Sequence, residues 1–163
     1  MQACVKLAEV FTLHKLVMVY GGGNIGLMGI LADEMLKRGG EVVGIIPQKL
    51  MDRELAHANL TQLHIVAGMH ERKALMAKLS DAFVVLPGGI GTMDEFFEIF
   101  TWFQLGYHHK PMALLNVSGF YDKLIGFLEH IIIQGYFQND LYKELIVEEH
   151  PGDLVKRLLN HRK

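Results

Sequence analysis

Short apolar runs, many of them β-branched, recur along the chain at Leu16 to Tyr20, Glu41 to Ile46, Gln62 to Val66, Ala82 to Leu86, Met112 to Val117 and Leu145 to Glu148. Their length and residue types predict strands. Stretches with helical spacing separate them, near Ile25 to Arg38, Met69 to Leu79, Gly91 to Leu105, Phe120 to Ile133 and Gly152 to Leu159. Strand and helix alternating over the whole length predict an α/β protein with a parallel sheet and helices on both faces, because each crossover returns the chain to the same end of the sheet. Ala3 to Thr12 reads as a helix that precedes any strand, and Gly135 to Glu144 as a surface loop before the last one. No linker or low-complexity segment interrupts the pattern, so one domain over residues 1–163 is expected.

Two glycine-rich turns break the apolar pattern where a strand gives way to a helix: "VYGGGNIGLMG" from Val19 to Gly29 and "VLPGGIGTMDE" from Val85 to Glu95. Gly21, Gly23 and Gly26 satisfy the G-x-G-x-x-G spacing of a dinucleotide site, yet the next strand ends in Pro47, Gln48 and Lys49 instead of an acid for the ribose. Glycines present only for tight strand-to-helix packing are one reading. The other is an anion site: both turns lie at carboxyl ends of parallel strands, where bare amides and a helix N-terminus suit a phosphate.

The second turn runs into Thr92, Asp94 and Glu95. Acids there serve either as helix caps or, on a segment with Phe96, Phe97, Ile99, Phe100, Trp102 and Phe103 that is expected to be mostly buried, as a carboxylate with a task. Between the two turns, Met69, Leu75, Met76 and Leu79 gather on one helical face with Arg72 in its middle and Lys73 at its edge. Arg72 either pairs with a buried carboxylate or, with Lys73, binds phosphate.

Composition narrows the partners. Half of the 163 residues are hydrophobic, 21% are charged and the formal net charge is -2, so neither a nucleic-acid surface nor an acidic tail is expected. The single Cys4 has no disulfide partner, which favours a reducing compartment, the cytoplasm by default. No run approaches the ~20 apolar residues that span a bilayer, and no leader-like order opens the chain, so membrane insertion and export are not expected. His70, His108 and His109 lack ligand spacing and no metal site is expected. Nucleophile-elbow, Walker and paired-cysteine motifs do not occur.

"PGGIGTMDE" at Pro87 to Glu95, preceded by "MHERKALM" at Met69 to Met76 and "YGGGNIGLMG" at Tyr20 to Gly29, closely resembles the Lonely Guy family of cytokinin riboside 5′-monophosphate phosphoribohydrolases. The resemblance spans the whole chain and implies a Rossmann-like homodimer. It also implies hydrolysis of the N-glycosidic bond of a nucleoside 5′-monophosphate, AMP or a cytokinin riboside 5′-monophosphate, without a cofactor. By their places in the motifs, Arg72 and Glu95 resemble the family's catalytic residues. Lys73, Gly88, Gly89, Ile90, Gly91, Thr92, Met93, Asp94 and Thr101, with Gly22 and Gly23 of the first turn, resemble its nucleotide-binding positions, as does Glu54 in a more divergent stretch. Members of the family begin with a strand ending in a Gly-Ser-Ser turn, and this chain is expected to lack it.

The family has also carried the label lysine decarboxylase, a reaction that needs pyridoxal phosphate on a lysine, and no lysine here is placed for it. Glu95, near a helix N-terminus, is expected to be ionised and to act as a base or charge stabiliser. The apolar girth of Phe96 to Phe103 predicts a homodimer through that helix. A non-catalytic nucleotide carrier or sensor on the same fold is the alternative function.

Overall fold

The buried, β-branched run Val42–Pro47 forms the central strand of the first of two parallel sheets in a computed structural model that describes residues 1–51 and 56–161. The chain divides into two compact units, Met1–Ser80 and Asp81–Lys163. In the first, helix α1 (Gln2–Leu13) leads to strand β1 (Met18–Tyr20), α2 (Gly26–Lys37), β2 (Val42–Pro47), the short α3 (Gln48–Met51), β3 (Gln62–Val66) and α4 (Met69–Leu79). The strand order is β1-β2-β3, all parallel, with Tyr20 opposite Gly44 and Pro47 opposite Val66.

Why these segments take these forms follows from what they bury. Val42, Ile45 and Ile46 of β2 are fully enclosed, as a central parallel strand requires. Leu7, Ala8 and Val10 of α1 and Leu31, Ala32 and Met35 of α2 are buried at helical spacing, and the two helices pack on each other. Cys4 is sealed on the same face of α1, and burial raises the pKa of its thiol.

The second unit carries β4 (Phe83–Val85), α5 (Ile90–Gln104), β5 (Met112–Leu115), a 3-10 turn (Val117–Gly119), α6 (Asp122–Ile133), α7 (Asn139–Lys143), β6 (Leu145–Glu148) and α8 (Pro151–Asn160). Its sheet, order β4-β5-β6, is again parallel. All four residues of β5 are buried. Val85, Phe96, Phe100, Met112, Leu114, Tyr121, Leu128 and Leu145 form one core cluster, in which the Phe96 and Phe100 rings stack at 5.3 Å. Pro151 starts α8, whose Leu154, Val155 and Leu158 are buried as the helix packs on β5 and β6.

The expected elements form, with differences. The short α3 (Gln48–Met51) is an addition, and the strands among the described residues arrange as two three-stranded sheets. Several strands are shorter than their apolar runs: Leu16 and Val17 precede β1, and Val117 enters the 3-10 turn, where Ser118 takes φ 53°. The expected loop from Gly135 to Glu144 contains α7, because Asn139 and Asp140 open a helical turn whose Leu141 and Tyr142 are half-buried, and Lys143 pairs with Asp140 at 3.1 Å. Among the described residues no helix is long and apolar enough to cross a membrane.

Gly44 shows how tightly β2 meets the turn after β1: a Cβ there would stand 2.4 Å from Leu60 Cδ1 and 2.9 Å from the Gly22 Cα. Gly44→Ala therefore overpacks against backbone, and a stability loss of about 1–3 kcal/mol is expected in chemical denaturation. An unchanged midpoint would show that the turn can shift freely.

Candidate active site

The first glycine turn is held from three sides. Gly22 takes φ +77°, the left-handed region that glycine enters without steric cost, and its carbonyl accepts the His57 N–H at 3.0 Å. Gly23 forms an antiparallel bridge with Ala56. The His57 ring is buried: its Nδ1 accepts the Asn59 N–H at 3.3 Å, which leaves the ring proton on Nε2, 3.2 Å from Asp33 Oδ1 on α2. At Gly29 a Cβ would fall 2.3 Å from the Asn24 carbonyl oxygen, so the turn folds back over the first turn of α2. Tyr20, the last residue of β1, has its hydroxyl buried without a hydrogen-bond partner among the described residues, and burial, then Asp33, pushes its pKa up to about 12.

Arg72 reaches this turn from α4. Gly68 caps the helix in an extended conformation, and the Glu71 carboxylate accepts the Ala67 N–H at 2.8 Å, which fixes the helix entry. Arg72 is the buried residue of α4, at 8% exposure. Its Nε donates to the Ile45 carbonyl at 3.2 Å and its Nη2 to the Gly21 carbonyl at 3.0 Å, while Nη1 lies 3.7 Å from Met69 Sδ. No carboxylate pairs with it among the described residues. The paired-carboxylate reading thus finds no support among the described residues, and the cation sits against the carbonyls of Gly21, just after β1, and of Ile45, within β2. The apolar face expected around it is only partly covered: Met69 and Leu79 are each 42% exposed. Lys73, next on α4, is half-buried.

The second turn is built differently. Beyond β4 the chain runs through Leu86, Pro87 and Gly88 to Gly89, which caps α5. A Cβ on Gly88 would lie 2.1 Å from Thr92 Oγ1, so the Thr92 hydroxyl rests over that α-carbon. Helix bonding begins with Met93 N–H to the Gly89 carbonyl at 3.1 Å, and no side chain caps the N-terminus. The amides ahead of Met93 are the unpaired donors that every helix start presents.

Asp94 and Glu95 stand in the second turn of α5, so the helix-cap reading of these acids is corrected, and so is the argument that the helix terminus favours an ionised Glu95, since that field fades within the first turn. Gly89, Ile90, Gly91 and Asp94 are exposed, Gly88, Thr92, Met93 and Glu95 half-buried. Thr101 is exposed on the stripe that runs through Ile90, Asp94 and Phe97. Of the stretch from which a dimer is expected, Phe96 and Phe100 are taken up by the unit's own core, which leaves Phe97 on the surface.

Within the first unit, then, Arg72 and the Gly21–Gly23 turn come together, and within the second Gly88 to Glu95 and Thr101 share one turn and one helix. Glu54 lies outside the described residues. No group of three or more His, Cys, Asp or Glu side chains is placed to hold a metal among the described residues. Sequence reasoning did not single out the His57–Asp33 pair or the Gly21 carbonyl as Arg72's acceptor. Nothing local signals either: Gly21 and Arg72 stand 51 residues apart.

A family described as "Possible lysine decarboxylase" matches residues 28–158. A cytokinin riboside 5′-monophosphate phosphoribohydrolase of Rhodococcoides fascians is 50% identical over 134 residues, 82% of this chain and 68% of that one. The chain belongs to the Lonely Guy family. A second member, cytokinin riboside 5′-monophosphate phosphoribohydrolase LOG4 of Arabidopsis thaliana, is 43% identical over 156 residues, 96% of this chain and 73% of that protein. In fold, this Lonely Guy protein is similar to a molybdenum cofactor binding protein of Rippkaea orientalis, with a TM-score of 0.70 at 19% identity over 98% of this chain and 85% of the other. The Chlamydomonas reinhardtii molybdenum cofactor carrier protein superposes with a TM-score of 0.68 at 17% identity, over 98% and 87% of the two chains.

A Cβ on Gly21 would stand 1.9 Å from Arg72 Nη2. Gly21→Ala must push the guanidinium off its carbonyls, at a cost of about 1–3 kcal/mol, or several degrees in Tm for a chain of this size. Gly88→Ala meets the Thr92 hydroxyl and also Thr92 Cβ, at 2.8 Å, which side-chain rotation does not move, so it too is expected to lower the melting temperature; an unchanged value for either variant in thermal denaturation would contradict the assigned geometry.

Proposed function

We propose that the protein hydrolyses the N-glycosidic bond of nucleoside 5′-monophosphates, AMP and cytokinin riboside 5′-monophosphates, to free base and ribose 5-phosphate. The observation that carries this reading is Arg72. A buried guanidinium that donates to two carbonyls and meets no carboxylate among the described residues keeps most of its positive charge available for an anion. The relatives' names supply the substrate class, and the uncapped N-terminus of α5 beside Gly88 and Gly89 supports it, since its amides suit a phosphate.

Cleaving a ribosyl C–N bond develops positive charge on the sugar, as in glycoside hydrolysis. Glu95 is assigned to stabilise that charge and to take a proton from the attacking water. Arg72 and Lys73 are assigned to position the nucleotide through its phosphate or ribose, and Thr101, Gly22 and Gly23 to line its path. The family description's decarboxylation requires an imine between a lysine and pyridoxal phosphate. Lys73, half-buried beside Arg72 on α4, is read instead as a point charge for phosphate.

Incubation with a panel of nucleoside 5′-monophosphates, followed by chromatography, is expected to release free base from AMP. Glu95→Gln and Arg72→Ala are each expected to slow release by on the order of 10²-fold or more while circular dichroism stays unchanged. Binding without turnover by the wild type would favour a carrier instead, and undiminished turnover in a folded variant would remove that residue from the mechanism. We also propose a homodimer through the exposed face of α5; Phe97→Glu is expected to shift the mass from dimer to monomer in light scattering at micromolar concentration.

A further inference from the structure

The turn before α5 begins at Leu86, the last residue before Pro87, which has no N–H to continue a ladder. The β4–β5 pairing ends one residue earlier, at Val85 opposite Leu114. The Leu86 carbonyl therefore stands beyond the sheet, and the Tyr121 hydroxyl donates to it. Tyr121 belongs to a rigid corner. Asn116 N–H donates to the Glu148 carbonyl at 2.8 Å, which bolts the end of β5 to β6. The Asn116 side chain accepts the Tyr121 N–H at 2.6 Å and donates to Asp122 Oδ1 at 2.8 Å. Ser118 and Gly119 both take left-handed φ, 53° and 69°, so the chain reverses sharply into α6. The Tyr121 ring is 2% exposed, packed in the same cluster as Val85 and Phe96.

We propose that Tyr121 is a positioning residue: by clamping the Leu86 carbonyl from this corner it sets the direction in which the chain leaves β4 and holds the amides of Gly88 to Thr92 in their anion-binding arrangement. Burial pushes the hydroxyl's pKa up to about 12, so it remains a proton donor across the working range of an enzyme. The role in substrate binding rests on the nucleotide hydrolase reading above. Because the phosphate does not react, a loop that binds it does so alike in ground and transition states, and loosening the loop acts on KM more than on kcat.

Tyr121→Phe keeps the ring in its cluster and removes only the donor. For AMP hydrolysis, KM is expected to rise about fivefold to tenfold with kcat within about twofold, and ribose 5-phosphate is expected to inhibit more weakly by the same factor. Hydrogen exchange at the Met93 amide, which donates the first hydrogen bond of α5 to the Gly89 carbonyl, is expected to quicken about tenfold while β5 and β6 keep their protection. Asn116→Ala, which loosens the corner without touching the loop, is expected to move both readouts in the same direction. A lower melting temperature with unaltered KM and unaltered loop exchange would make Tyr121 merely structural and overturn the proposal. Should the wild type release no base from any nucleotide, the hydrolase reading fails by itself, and the exchange comparison still decides whether Tyr121 clamps the loop.

Discussion

A positively charged guanidinium held at 8% exposure against two main-chain carbonyls is the interaction on which the first unit's site depends. Parallel strands leave their last carbonyls without ladder partners, and a buried carbonyl left alone is costly. Arg72 resolves that just beyond β1, at Gly21, and also binds the Ile45 carbonyl within β2, which fixes the distance between the Gly21 turn and Ile45. Among the described residues its oxygen acceptors are those of the main chain, which soften the charge without cancelling it. The second unit meets the same problem at Leu86 with a neutral donor, Tyr121, and leaves the positive field to the helix amides.

The glycines divide along the same line. Gly22 and Gly26 take left-handed φ, where a side chain would strain the backbone. Gly21, Gly29, Gly44 and Gly88 are bare for another reason, since the space of their missing Cβ is filled by the Arg72 guanidinium, the Asn24 carbonyl, Leu60 and the Thr92 hydroxyl in turn. Each turn thus mixes crowded glycines with open ones, since an added Cβ on Gly26, Gly89 or Gly91 would meet nothing within 4 Å. Of the dinucleotide fingerprint, Gly21 is explained by the guanidinium packed on it and Gly26 by its left-handed φ.

Much of this was legible along the chain because it depends on neighbours in sequence. Gln62–Val66, Leu145–Glu148 and Met69–Leu79 form with the bounds their patterns suggest, and the apolar–glycine–helix order locates both turns. What depends on residues far apart was not. Arg72 was visible as an anomaly on its helix, but the identity of its acceptors was not, because main-chain carbonyls carry no residue code. Tyr121 looked like any core aromatic, since only the fold brings its hydroxyl to Leu86. The apolar face expected on α4 misled because periodicity reports which residues share a side, not what covers it, and Met69 and Leu79 stay partly open. The position of Glu95 shifted by one helical turn for a local reason: Gly89 caps the helix ahead of where the acids suggested.

Cys4 has a practical consequence. It is the chain's single cysteine, enclosed at 2% exposure with its thiol held protonated by burial. Thiolate is the form of cysteine that oxidants and thiol-directed reagents attack, so the enclosed Cys4 offers such reagents no ready thiolate. A cysteine introduced at an exposed position would be modified alone, which opens the two glycine turns to site-selective spectroscopic labels without first removing the native residue.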